Sequence, residues 1–383
     1  MYRGDEDYYA YNLDAKELVC SKHFEDLFLK DFILKNGYSA KCNYCGKKRK
    51  VVELSEILKL IIVGINCLFE DANESRYYNK EGEHGFDGDT MVFYDLFYGD
   101  ELSLRINSTA LEEDIFNYLD NYDIIYCRKD EFGGEFDFLK GSWDYFKEVV
   151  KHRARFAFHY EDTFDDFFHR NPVSILNSVQ HDILKFNLIR EISVKTKLYR
   201  CVQHVRQRDV GIKGERIASN PIKNCKVNNR MSPAGISMFY CSTDKNVCIE
   251  EVVDFSDKKR PFYTTAYFLP RNELKLVDLT KIPSIPSIYD KKNNKYIESL
   301  YFLREFIDDI SQPIKLGDEI IDYIPTQVVT EYIRYNPKLK VDGIIYPSSK
   351  GIGKENFVIF KDHEKSLTEL IFVNKSKKTV KIF

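Results

Sequence analysis

Arg230–Val252, RMSPAGISMFYCSTDKNVCIEEV, sets a short apolar run, SMFYCS, directly ahead of a segment with helical texture near Val247–Val253. The run is bounded by turn signals and reads as a strand, so this stretch fixes a strand followed by a helix. Working outward, the runs KLYRCV, FYTTAYFL, LKLVDL, DGIIYP and NFVIF repeat the strand texture after Thr196. Further helical segments fall near Ile297–Ile307 and Thr326–Tyr335, and IPSIPSIYDKKNNK reads as a surface loop between them. Residues 191–383 are therefore expected to form a mixed α/β domain.

Upstream, from Ala15 to about Arg190, the pattern is mostly helical. Leu54, Ile57, Leu58, Ile61, Ile62 and Ile65 recur at helical spacing and lay down one apolar stripe. Ser142 reads as the N-cap of a helix carrying Trp143, Phe146, Val149 and Val150, and Pro172 stands where the first turn of a helix to about Phe186 tolerates it. Asn79–Asp89, NKEGEHGFDGD, reads as a polar loop, and Tyr122–Phe136 mixes apolar and charged residues without a clear period. The expected class is α+β, with a mostly helical domain over 1–190 and a second domain over 191–383.

The chain has 383 residues, 43% hydrophobic and 31% charged, which is long for one compact core. A formal net charge of −3 gives no overall pull toward nucleic acid or an anionic membrane, so nucleic acid is not the default partner, although a local basic face fits the same balance. The start lacks a secretion-type apolar region and no uncharged stretch approaches a bilayer span, so a cytoplasmic location without membrane contact is expected. The nine cysteines then read as reduced thiols, some of them metal ligands.

Cys20 and His23 form a CxxH, and Cys42 and Cys45 a CxxC, separated by one helix-like segment. Zinc takes four N or S donors in a tetrahedron, and two short knuckles supply them, with Gly46 allowing a tight turn beneath the metal. With all four positions filled by protein, such a Zn²⁺ is structural and staples a ribbon-like unit over 15–50. The bland reading makes Cys20 a buried small hydrophobe and His23 a surface residue.

In order along the chain come LYR ending in Arg200, RMSPAGISMFY with Arg230 and Tyr240, VCIEEV with Glu251, and DGIIYPSS with Ser348. On these four ordered parts, the chain from about Lys197 to Phe360 resembles the RES domain family, named for its Arg, Glu and Ser. YIPTQVVTEYIR (Tyr323–Arg334) and GKENFVIF are also similar to one subfamily of these domains. The upstream half resembles the HEPN/RES-type region often joined to them, a Cys/His knuckle pair followed by helices, with His23 where that pattern more often has Cys.

The resemblance implies a fold similar to ADP-ribosyltransferase toxins and a pocket that takes NAD⁺ as substrate and cleaves its nicotinamide–ribose bond. Arg200 and Arg230 are then candidates for the diphosphate, which a guanidinium fork pairs bidentately. Nicotinamide leaves as a neutral molecule, so the charge needing stabilisation develops on the ribose, and a carboxylate supplies that. Glu251 is the candidate; its neighbour Glu250 points about 100° away on the same helix. Tyr240 would contact the nicotinamide ribose and Ser348 would hydrogen-bond the substrate. No Gly-x-Ser-x-Gly elbow surrounds Ser348, and GIGK at Gly351–Lys354 is too short for a phosphate-binding P-loop. Without the resemblance, Arg200, Glu251 and Ser348 read as an ordinary strand-end, helix-surface and turn residue.

The implied biology is NAD⁺ depletion, by hydrolysis or phosphorolysis, as a toxin or antiviral effector, with a cognate antitoxin and a homo-oligomer as possible partners. Transfer of ADP-ribose to a macromolecule keeps the same pocket. A binding-module reading, with an inactive RES fold and an upstream half that recognises RNA or protein, rests on Arg153 and His159 in HRARFAFH, spaced like the Arg/His pair of HEPN ribonucleases.

Overall fold

The computed structural model describes residues 13–76, 78–79, 85–86, 88–120, 123–129, 137–158, 172–311, 319–348, 350–351 and 353–383. The chain divides into two compact units, Met1–Leu139 with Ser284–Glu298, and Lys140–Pro283 with Ser299–Phe383. This division does not fall at residue 190, where the sequence reading put it.

The first unit opens with β1 (Leu18–Cys20), α1 (Leu27–Asn36), β2 (Tyr38–Lys41), β3 (Lys48–Glu53) and α2 (Leu54–Leu68). The three strands form an antiparallel sheet in the order β1-β3-β2. The apolar stripe on α2 is fully buried from Leu54 through Ile65, which is why the segment is helical: only a 3.6-residue period puts all six side chains on one side. A second small sheet pairs β4 (Phe69–Asp71), β5 (Thr90–Met91) and β6 (Tyr126–Arg128) in the order β4-β6-β5. Helices α3 (Phe93–Tyr98) and α4 (Thr109–Leu119) add Phe93, Leu96, Leu111 and Ile115 to the core. The expectation of a mostly helical N-terminal region therefore needs these two sheets added. Of NKEGEHGFDGD, residues 80–84 and 87 lie outside the described residues, while Tyr78–Asn79 pairs with Gly85–Phe86.

IPSIPSIYDKKNNK is a loop, as expected, but one of its side chains is buried. Ser284–Glu298 belongs to the first unit, and Tyr289 is 1% exposed there, its hydroxyl donating 2.7 Å to the Leu102 carbonyl. Gly64 on α2 makes room for it, since a Cβ at that position would stand 2.6 Å from the Tyr289 ring. The polar residues around Ile288 and Tyr289 hid one buried and one partly buried side chain.

The second unit begins with α5 (Asp137–Glu148), extended by a π-helical turn at Val149–Arg153, and α6 (Pro172–Lys185). Helix α5 starts five residues before Ser142, so Ser142 lies inside it and is not its N-cap. Then follow β7 (Ile189–Ile192), β8 (Leu198–His204), β9 (Phe239–Cys241), α7 (Lys245–Val252), β10 (Phe262–Pro270) and β11 (Leu274–Asp278). The unit closes with α8 (Ile297–Ser311, from Ser299 on), α9 (Ile324–Tyr335), β12 (Gly343–Pro347), β13 (Glu355–Ile359), β14 (Leu370–Phe372) and β15 (Lys378–Lys381). Each strand and helix expected after Thr196 is present.

A five-stranded mixed sheet, β9-β13-β12-β11-β7, is parallel only between β11 and β12, and a four-stranded antiparallel sheet gathers β8, β14 and β15 around β10. Alternation along the strands gives the larger sheet two apolar faces. Val277, Ile344, Tyr346 and Val358 pack on α5, α6, α8 and α9, whereas Leu276, Ile345, Phe357 and Ile359 share a second core with Ala266 and Phe268 of β10. This explains the nearly continuous apolar run in DGIIYP and NFVIF.

Candidate active site and metal centre

Tyr199 and Ser242 exchange backbone hydrogen bonds of 2.7 and 3.0 Å, which splices β8 of one sheet beside the end of β9 of the other. The splice brings Arg200 and Tyr240 to one cavity of about 670 Å³, whose walls also include Arg230, Glu251, Asn356 and Tyr323. Four of the five residues expected to do chemistry thus line one cavity, from positions 200 to 251 in sequence.

Arg200 lies with its Cζ 4.6 Å from the Phe239 ring centre, and its buried Nη1 has no hydrogen-bond partner among the described residues. Burial pulls this guanidinium down from its ordinary value. A buried donor without a partner costs about 1–3 kcal/mol, so this nitrogen is open to an acceptor that the described residues do not supply. Arg230 is braced: its Nη1 donates 3.1 Å to the Asp309 carbonyl, and its Cζ lies 5.7 Å from the Tyr323 ring centre. The loop carrying it is pinned from α9, where Thr326 Oγ1 donates to the Arg230 carbonyl at 2.5 Å and Gln327 Nε2 to the Asn229 carbonyl at 2.9 Å. The apolar period of YIPTQVVTEYIR shows the helix but not this use of its polar residues.

Tyr240 pairs its hydroxyl with Ser232 Oγ at 2.9 Å, and burial pushes its pKa up to about 12, so the hydroxyl stays protonated at neutral pH. Glu251 receives two hydrogen bonds on Oε1, from Ser348 Oγ at 2.7 Å and from Asn356 Nδ2 at 2.9 Å. None of the described residues bonds its Oε2. Glu250 pairs with Lys354 at 3.2 Å, whereas Glu251 lines the cavity.

Ser348 is buried at 7% exposure. It donates to Glu251 Oε1 at 2.7 Å and accepts from the Lys350 N–H at 3.1 Å, and so meets the cavity through Glu251. Asn356 escaped sequence reasoning. The available signal was a single polar residue inside the apolar run of β13, which a fully buried strand tolerates only with a partner.

In the first unit, the Cys20, Cys42 and Cys45 Sγ atoms and a His23 ring nitrogen all lie within 4.8 Å of one another. Cys20 and Cys45 Sγ are 3.7 Å apart, and Cys42 Sγ and His23 Nε2 3.4 Å. A tetrahedral ion with Zn–S of about 2.3 Å and Zn–N of about 2.0 Å requires edges of roughly 3.8 and 3.5 Å, so the four donors fit such an ion. Gly46 follows at φ +67°, the left-handed turn the knuckle needs. Of the Arg/His pair, Arg153 stands in the π-helical turn 3.7 Å from Glu148, and His159 lies outside the described residues.

Family comparison adds two matches, HEPN/RES N-terminal domain 1 over residues 35–164 and the RES domain over residues 197–375. The chain is a RES domain protein with a HEPN/RES-type N-terminal region. RES domains are associated with NAD-related toxins. No curated protein and no solved structure matches the chain. Among the described residues of this RES protein, no helix is long and apolar enough to cross a membrane.

Proposed function

We propose that this RES protein degrades NAD⁺ by cleaving the bond between nicotinamide and ribose, as an NAD glycohydrolase or phosphorylase. The observation that carries the reading is the convergence in one cavity of Arg200, whose buried Nη1 has no partner among the described residues, and a doubly braced carboxylate on Glu251. The cavity volume, about 670 Å³, lies within the range of small-molecule and cofactor sites.

In this reading Arg200 and Arg230 hold the diphosphate, and Tyr240 donates from its protonated hydroxyl to the nicotinamide ribose. The C1′–N bond breaks with its electron pair leaving on nicotinamide, and Glu251 stabilises the positive charge that develops on the ribose. A phosphate oxygen then bonds C1′, or a water oxygen does so and gives up one proton to solvent. The catalytic residue is Glu251, with Ser348 and Asn356 as positioning residues. The likeness of the RES half to the ADP-ribosyltransferase toxin fold, structural Zn²⁺ in the Cys20–Cys45 centre, and a role as toxin or antiviral effector in the cytoplasm belong to the same proposal.

The test is purified protein incubated with NAD⁺, with and without inorganic phosphate, with nicotinamide release followed by chromatography. Release that Glu251→Ala reduces to a small residual rate supports the reading, and a phosphate requirement with a phosphorylated ADP-ribose product selects phosphorolysis. Absence of nicotinamide release from protein that binds NAD⁺ in calorimetry overturns it.

A further inference from the structure

Tyr346 lies on β12, and the ladder sets it directly opposite Asn356 on β13. Directly opposed residues leave the same face of a sheet with their Cβ atoms about 5 Å apart. Tyr346 therefore stands beside the side chain that donates 2.9 Å to Glu251 Oε1. On the same face, β9 puts Tyr240 opposite Val358, two residues along β13 from Asn356. Ile236, Met238, Tyr240 and Tyr346 all line the cavity and pack in one apolar core, so this stretch of wall is apolar with phenol hydroxyls as its polar groups.

Buried hydroxyls in folded proteins are nearly always hydrogen-bonded. Tyr240 has its partner in Ser232 Oγ at 2.9 Å. Tyr346 is only 8% exposed, yet among the described residues its hydroxyl makes no hydrogen bond. Burial raises its pKa, so the hydroxyl keeps its proton at neutral pH and is a donor. Packing alone does not call for that oxygen, since phenylalanine fills the same space without the cost of an unmet donor. Because Tyr346 lines the cavity, the hydroxyl is available to a group bound there.

We propose that Tyr346 recognises the leaving group, its hydroxyl donating to the carboxamide oxygen of nicotinamide. The assignment rests on the reading that Glu251 faces the nicotinamide ribose. A substrate with C1′ at Glu251 lays its nicotinamide ring on the neighbouring wall. That ring is flat and apolar apart from one carboxamide, which matches apolar side chains around a free donor. The ribose falls to Tyr240 in the same reading, which leaves Tyr346 for the ring. The bond also strengthens along the reaction. In NAD⁺ the pyridinium draws electrons from the carboxamide; the electron pair that leaves C1′ for the ring nitrogen restores density to the carbonyl oxygen, so a donor there favours bond cleavage.

The experiment compares kcat/KM of the full-length protein and of Tyr346→Phe, which removes only the hydroxyl, with enzyme in excess so that slow substrates are measured. The substrates are NAD⁺, its 3-acetylpyridine analogue, which keeps the carbonyl oxygen, and its pyridine analogue, which has none; base release is followed by chromatography. Tyr346→Phe is expected to lower kcat/KM about 5- to 150-fold on NAD⁺ and the 3-acetylpyridine analogue, the cost of an unpaired buried acceptor, and less than about twofold on the pyridine analogue. Its melting temperature should be unchanged or raised, because the hydroxyl has no partner in the described protein; a fall would reveal a structural role and overturn the proposal. Equal slowing on all three substrates, slowing on NAD⁺ alone, or no slowing overturns the assignment while leaving NAD⁺ cleavage standing. No base release from the wild-type protein overturns the cleavage reading and this assignment with it.

Discussion

Removing the Ser348 hydroxyl is the sharpest probe of the candidate site, because Ser348 meets the cavity through Glu251. Its 2.7 Å bond and the 2.9 Å bond from Asn356 both fall on Glu251 Oε1. A hydrogen bond to a charged group contributes about 1.5–3 kcal/mol. If that energy serves to aim the carboxylate at the ribose, Ser348→Ala slows kcat by about 10- to 150-fold, at about 1.4 kcal/mol per decade. KM should change by less than about threefold, since an interaction made in the transition state leaves ground-state binding intact. The assay is steady-state nicotinamide release from NAD⁺ by Ser348→Ala, Asn356→Ala, Glu251→Ala and the pairwise combinations. Ser348→Ala placed on top of Glu251→Ala should have no further effect, because Ser348 acts through that carboxylate. Equal slowing in both backgrounds would refute the reasoning and return Ser348 to a direct substrate role; a melting temperature shared by the single variants excludes general loss of structure.

Truncation before residue 191 removes Trp143, Phe146, Val150, Ile175, Leu176, Val179 and Ile183 from one core, worth about 1.5–3 kcal/mol each and together more than a typical domain's net stability, so the 191–383 fragment should be insoluble or unfolded by circular dichroism; a cooperative melt would contradict this. Metal analysis should find one zinc per chain, lost with a fall in melting temperature on chelation or in Cys45→Ser, whereas metal-free protein of unchanged stability would leave the four donors without a role. Burial raises Cys201, Cys248 and Tyr240 to about 12. The folded chain therefore keeps protons that the unfolded chain releases, so stability is full below about pH 8.5 and falls as pH rises toward 12, each titrating group costing about 1.4 kcal/mol per pH unit. Urea midpoints between pH 8 and 11 test this, and Cys248→Ser, which keeps the donor to the Tyr199 carbonyl but does not titrate there, should flatten the decline.

Local patterns were sufficient for much of this protein. The α2 stripe, the strands after Thr196 and the four clustered donors that could hold a metal were legible because helical period, strand alternation and knuckle spacing are properties of neighbours in sequence. The ordered Arg, Tyr and Glu motifs named residues that do share a cavity. Sequence could not say how they share it. The Tyr199–Ser242 splice, the brace on Glu251 from residues 97 and 105 positions away, and the pins from α9 on the Arg230 loop are contacts between distant segments. The same holds for Tyr289, whose polar flanks read as surface although its ring fills a space left by Gly64. Burial and hydrogen-bond partnership depend on what packs against a residue, and only the tertiary structure decides that.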